Sequence, residues 1–271
     1  MYPYAQTNIQ LFNQLRREGY SNTDLCCIHN AYQLVIPLFT GCFRASGKTF
    51  IAHLVGTASI LCALHVPAKV IAAGLLHAAY ASGDFGDGGK GFSDVKHQHI
   101  KRAVGEEVED YVAKYTFLRW NEQTIPTIRD RLDALDPTDR NVVLIRLANE
   151  LEEYLDLGIL YCGDVKYQRY MNHNNHYMVE MAEKLGFPTL AVELATVFKE
   201  TALAEIPVEL RNQSSHSASF FLVPNSYRKR LSVAFSHWLV SKLHHLSSAI
   251  VHKLRHLPFA IGMRMKSHVK S

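Results

Sequence analysis

The chain has 271 residues, 48% of them hydrophobic, with 29 Lys and Arg against 25 Asp and Glu. That length and apolar content provide for one substantial core with an appendage. They point away from a membrane-spanning chain, because the longest apolar run, residues 66–81, is interrupted by Pro67, Lys69 and His77. The opening "MYPYAQTNIQ" lacks the basic start and apolar stretch of a secretory signal, so a cytoplasmic location is expected. The five cysteines, Cys26, Cys27, Cys42, Cys62 and Cys162, show no C-x-x-C spacing and are expected as buried reduced thiols. Charge is unevenly spread. Residues 1–210 hold 19 basic and 25 acidic side chains, whereas residues 211–271 hold 10 basic, none acidic, and 7 of the 15 histidines. An acidic globular body with a basic arm follows.

In the body, apolar residues recur at spacings of three and four and strict alternation is absent, which predicts an all-α fold. Leu54, Ile60, Leu61 and Leu64 suit one helix, stopped near His65-Val66-Pro67, and Val70, Ile71, Leu75 and Leu76 suit the next. Residues 82–93 form a loop with five glycines. Residues 103–116, 139–158 and 176–187 read as three more helices, with Gly158 and Gly186 where a C-terminal stop is expected. The expected organisation is an N-terminal segment (1–24), a helical domain (25–210), a polar linker (211–226) and a basic tail (227–271).

His53 stands near the start of the first core helix and His77 at the end of the second. Antiparallel packing of two consecutive helices would bring the two imidazoles together, either to share a metal or as hydrogen-bonded core residues. Arg44 and Lys48 precede the first of these helices and are candidate ligand-binding cations, able to hold a phosphate or, for Arg44, to stack on a ring. "SGDFGDGGKGFS" does not fit the Gly-x-x-x-x-Gly-Lys-Ser/Thr phosphate loop.

"FRASGKTFIAHLVGTASILCALHVPAKVIAAGLLH" (43–77) resembles the opening of the HD domain of RelA/SpoT-type alarmone hydrolases, in which Arg, Ser-Gly and a ligand His precede an apolar helix and a His-Asp pair. "IKRAVGEEVEDYVAKYT", "VVLIRLANELEE" and "HYMVEMAEKLGFPTLAVEL" resemble later segments of that domain, in the same order. The resemblance covers about residues 25–205 and implies an HD-domain-like helical bundle. It further implies a divalent metal such as Mn²⁺ at His53 and His77, and a nucleotide or phosphorylated small molecule as partner, with Arg44 over the base. The departures are as informative. The family's metal is held by two His and two Asp, but here Ala78 and Asn149 stand at the aspartate positions, and Ala81 and Ser82 at those of the acidic pair thought to activate or orient the attacking water. Alanine offers no donor and asparagine only a neutral oxygen.

Two repairs are conceivable. Asp84 and Asp87 lie on the glycine-rich loop and stand in for the lost acidic pair, with Asp84 as an additional metal ligand, if that loop folds inward; otherwise both are solvated turn residues. Asn149, Glu152 and Glu153 fall at i, i+3 and i+4, so that one helix face presents an amide and a carboxylate, with Arg146 one turn earlier. Asn149 interrupts an apolar stripe and is expected to make a polar contact inside the pocket, whereas Glu153 is expected on a charged solvent face.

In the tail, apolar residues at 231, 235, 239, 243, 246, 250, 254 and 257 predict an amphipathic helical extension, with histidines and Lys253 on its other face. Such a helix suits an anionic membrane surface, an acidic protein or the acidic body itself, with nucleic acid disfavoured. Three readings stay open: a phosphohydrolase-like pseudoenzyme that binds without standard alarmone hydrolysis, an active enzyme with a rebuilt site, and a scaffold whose tail is functional.

Overall fold

Side-chain caps place five of the helix starts in the computed structural model, which describes residues 4–162, 175–211, 219–223 and 225. Thr7 and Ser21 close capping boxes on α1 (Asn8–Arg17) and α2 (Asn22–Phe39). Thr49 caps α3 (Phe50–Ala63), Ser93 caps α6 (Asp94–Val104), and Asp136 followed by Pro137 starts α9 (Pro137–Tyr154). Between them lie α4 (Ala68–Leu76), the single turn α5 (Ala79–Ser82), α7 (Glu106–Phe117) and α8 (Thr124–Arg131); α10 (Asn175–Lys184) and α11 (Pro188–Leu203) follow. The fold is all-α. Its β-structure among the described residues is an antiparallel ribbon of β1 (Cys42–Arg44) and β2 (Ser219–Phe221), where Phe43 stacks on Phe220, and an isolated bridge between Phe43 and Thr49.

Helix α3 is the central rod. Its residues from His53 to Cys62, the small polar Thr57 and Ser59 among them, are buried, because α1, α4 and α9 pack against it. Helix α4 is buried at Ala68 and from Val70 to Leu76, with Lys69 exposed, and packs antiparallel to α3 across a close crossing. Leu61 Cδ1 fills the space at Gly74 where a Cβ would stand.

The chain divides into two compact units, Met1–Leu222 and Val223–Ser271. The segment 1–24 contributes α1 to the first unit, with Leu11 and Leu15 fully buried, and β2 lies beyond the edge expected at residue 211. The tail helix expected at 227–257 lies outside the described residues.

Several local expectations are corrected. The helix expected at 103–116 is broken at Gly105, whose φ of 87° ends α6 and begins α7. Helix α9 stops at Tyr154, before Gly158, because Asp156 and Leu157 adopt left-handed backbone in the 3₁₀ segment that follows. Cys42, Cys62 and Cys162 are buried, but Cys26 is exposed and Cys27 half-buried. No helix among the described residues is long and apolar enough to cross a membrane.

Candidate functional site

The turn "RASGK" supplies two cations. Arg44 donates its backbone N–H to the Lys48 carbonyl at 2.8 Å, and Gly47, at φ 89°, donates to the Arg44 carbonyl at 2.9 Å. This tight loop presents Arg44 and Lys48 on one side of a cleft that is also lined by Ser46, His53, Glu152, Glu153, Leu155, Gly158 and Cys162. The cleft thus joins the start of α3 to the end of α9.

Each cation faces a carboxylate. Arg44 pairs with Glu153 and lies over the Phe50 ring at 5.0 Å, while Lys48 pairs with Glu152. His53 donates from Nδ1 to the other Glu152 oxygen. Helix α3 makes room for this contact, since a Cβ at Gly56 would come within 2.7 Å of Glu152 Oε1 and 2.8 Å of its Cγ. Burial raises the Glu152 carboxyl to about 7, against the opposing pull of Lys48 and Arg44.

His77 lies beside this cluster. Its ring centroid is 5.3 Å from that of His53 and 5.0 Å from that of Tyr115, and Nδ1 donates to the Gly74 carbonyl at 2.8 Å. Burial, and then the neighbouring His53, hold its pKa well below the ordinary imidazole value. The antiparallel α3 and α4 therefore bring the two histidines side by side.

The other candidate residues fall elsewhere. Asn149 is buried on α9 but is not among the residues that line the cleft. Asp84 is exposed, accepting the Gly86 N–H in a turn at 2.9 Å, and Asp87 accepts the Gly89 N–H at 3.0 Å. The loop acids do not reach the histidines. Glu153, expected on a solvent face, is only 8% exposed and holds Arg44. Arg146 bonds Glu150 and the Tyr115 hydroxyl and lies between the Tyr115 and Trp120 rings, away from the cleft. Sequence reasoning overlooked Gly56, since a glycine within an apolar helix does not say what crosses it.

These residues do not fit a hard divalent cation. Two imidazoles are present, yet Ala78 carries no donor, and Glu152 bonds the Nδ1 edge of His53 while neutralising Lys48. Among the described residues no group of three or more His, Cys, Asp or Glu is placed to hold a metal ion.

Residues 37–119, which include Arg44, Lys48, His53 and His77, match a family described as a domain of unknown function, DUF6817. The chain is also 31% identical over 202 residues to probable GTP diphosphokinase RSH2, chloroplastic, of Arabidopsis thaliana, covering 71% of this chain and 26% of that protein. Probable GTP diphosphokinase RSH3, chloroplastic, from the same plant is 29% identical over 161 residues, covering 57% and 21%. The RSH2 protein of Oryza sativa subsp. japonica is 30% identical over 164 residues, also covering 57% and 21%. The chain spans about a quarter or less of the length of these curated relatives, to which it is similar over the matched part.

Proposed function

We propose that the chain is a diverged HD-type domain that binds a nucleotide or another phosphorylated metabolite in the Arg44–Lys48 cleft and does not carry out standard metal-dependent alarmone hydrolysis. One observation carries the reading. Two cations converge on a cleft beside a histidine pair, while positions 78, 81 and 149 offer no carboxylate. Phosphate binding draws on Arg44 and Lys48. Hydrolysis needs charge-neutralising metal ligands and a base for water, and Ala78 and Ala81 supply neither. Similarity to GTP diphosphokinases supports a guanine nucleotide as the first ligand to test.

The test is equilibrium dialysis of the full chain against guanosine tetraphosphate, together with pyrophosphate release in the presence of Mn²⁺. Binding that falls at least about tenfold in Arg44→Gln, equivalent to about 1.4 kcal/mol, is expected without turnover. No binding at all sinks the reading. Brisk pyrophosphate release favours the second reading, an active enzyme with a rebuilt site, for which the Glu152 contact to His53 is the supporting observation.

A further inference from the structure

We infer that the cleft is an anion-exchange site, in which Glu152 and Glu153 occupy the places of two negatively charged groups of a polyanionic ligand and must release Lys48 and Arg44 for it to bind. The inference rests on the cleft reading above and names what that reading leaves open: how a ligand gains access to cations that are already paired. Arg44 and Lys48 come from one five-residue turn, and their partners are adjacent residues on a single helix. All four side chains line the same cleft. The Arg44 side chain is 12% exposed, so with Glu153 withdrawn its guanidinium would be left largely desolvated without a counter-charge. A carboxylate on the wall supplies that charge when no ligand is present, and a phosphate that replaces it gains a bidentate partner.

Both pairs are anchored so that exchange has a defined geometry. Glu152 is seated in the notch left by Gly56 and stays tied to His53 when Lys48 turns away. Arg44 is braced against the Phe50 ring, so the guanidinium keeps its position while its partner changes. The matching ligand carries at least two anionic groups, as a pyrophosphate or a nucleoside polyphosphate does. A monoanion satisfies one cation and leaves the other with its glutamate.

The exchange is read without any nucleotide, by melting the full chain at low ionic strength with increasing inorganic pyrophosphate. Wild type is expected to change little at concentrations that stabilise Glu153→Gln by several degrees, because in the variant the ligand no longer competes with a carboxylate. Pyrophosphate should bind Glu153→Gln at least tenfold more tightly than wild type in calorimetry, and Arg44→Gln should abolish that gain. Glu152→Gln provides the same measurement at Lys48 should the first variant not fold. Equal stabilisation of wild type and variants, or pyrophosphate affinity unchanged by either glutamine, overturns the exchange. If the exchange holds but guanosine tetraphosphate does not bind, the nucleotide reading fails alone.

Discussion

Two lysine–carboxylate pairs, one at the end of α9 and one on the glycine-rich loop, solve opposite problems. In the cleft the carboxylate is the buried member: Glu152 has a side chain 1% exposed, held by His53 and by a Lys48 that keeps 27% of its side-chain surface. On the loop the ammonium is buried. Lys96 is 3% exposed in its side chain, donates to the Gly89 carbonyl at 2.6 Å, and lies 3.3 Å from an oxygen of Asp87, whose side chain is half exposed. The first pair puts charge where a ligand can reach it, whereas the second ties a glycine-rich loop to α6. A helix fixes the direction of Glu152 and Glu153, but glycines at φ 77° and 68° (Gly86 and Gly88) let the loop turn its acids to water.

The largest effect is expected at Gly56. Gly56→Val should drive Glu152 from its notch and cost about 3–5 kcal/mol, the range for disrupting a buried ion pair, read from the denaturant midpoint. Gly86→Ala provides the contrast, because nothing lies within 4 Å of its Cβ. Its cost should be only the left-handed backbone penalty of about 1–2 kcal/mol. Equal losses would mean that Gly56 is not holding space for Glu152.

Lys96→Met comes next. It leaves the Gly89 carbonyl without its ammonium partner, an effect of about 1–3 kcal/mol, and should speed proteolysis within residues 83–93 while pyrophosphate binding in the cleft stays the same. Loss of cleft binding in this variant would show that the loop and the cleft are energetically coupled.

The pH profile sharpens the cleft itself. Glu152 is raised to about 7 from an ordinary glutamate value of 4.5, so between those values the folded state holds the proton more tightly than the unfolded chain. Its contribution to stability is therefore fully present below about 4.5 and is lost as pH rises to about 7. His77 acts in the opposite sense, since burial keeps it neutral and stability falls as pH drops below 6.5. Subtracting the melting profile of Glu152→Gln from that of wild type isolates the first effect. A flat difference between pH 4.5 and 7 would remove the raised carboxyl from the account.

The smallest effect is expected at Asp84. Asp84→Asn retains the turn contact to Gly86 and should alter stability by less than about 0.5 kcal/mol, as exposed substitutions do. Guanosine tetraphosphate binding should be unaltered in dialysis. A measurable loss would place the loop in the site after all.

The helical character of the body, the turn between α3 and α4, and the juxtaposition of His53 and His77 are legible in the sequence. Hydrophobic spacing and Pro67 specify two consecutive apolar helices, and a short connection leaves antiparallel packing as the way to bury both. That positions 78 and 149 carry no carboxylate is likewise legible, because Ala78 and Asn149 are identities and need no geometry. Which acids take the cations depends on how distant segments pack. Asp84 and Asp87 are closer in sequence to His77 than Glu152 and Glu153 are, yet loop direction depends on glycine dihedrals that sequence spacing does not fix. Glu153 on a helix face looked solvated until Arg44, 109 positions earlier, was seen to cover it. The same holds for Gly56, whose missing Cβ has a purpose only once α9 crosses α3. Periodicity reports which face of an element is apolar; it does not report which polar groups from distant segments will be buried against one another, and in this chain those groups form the site.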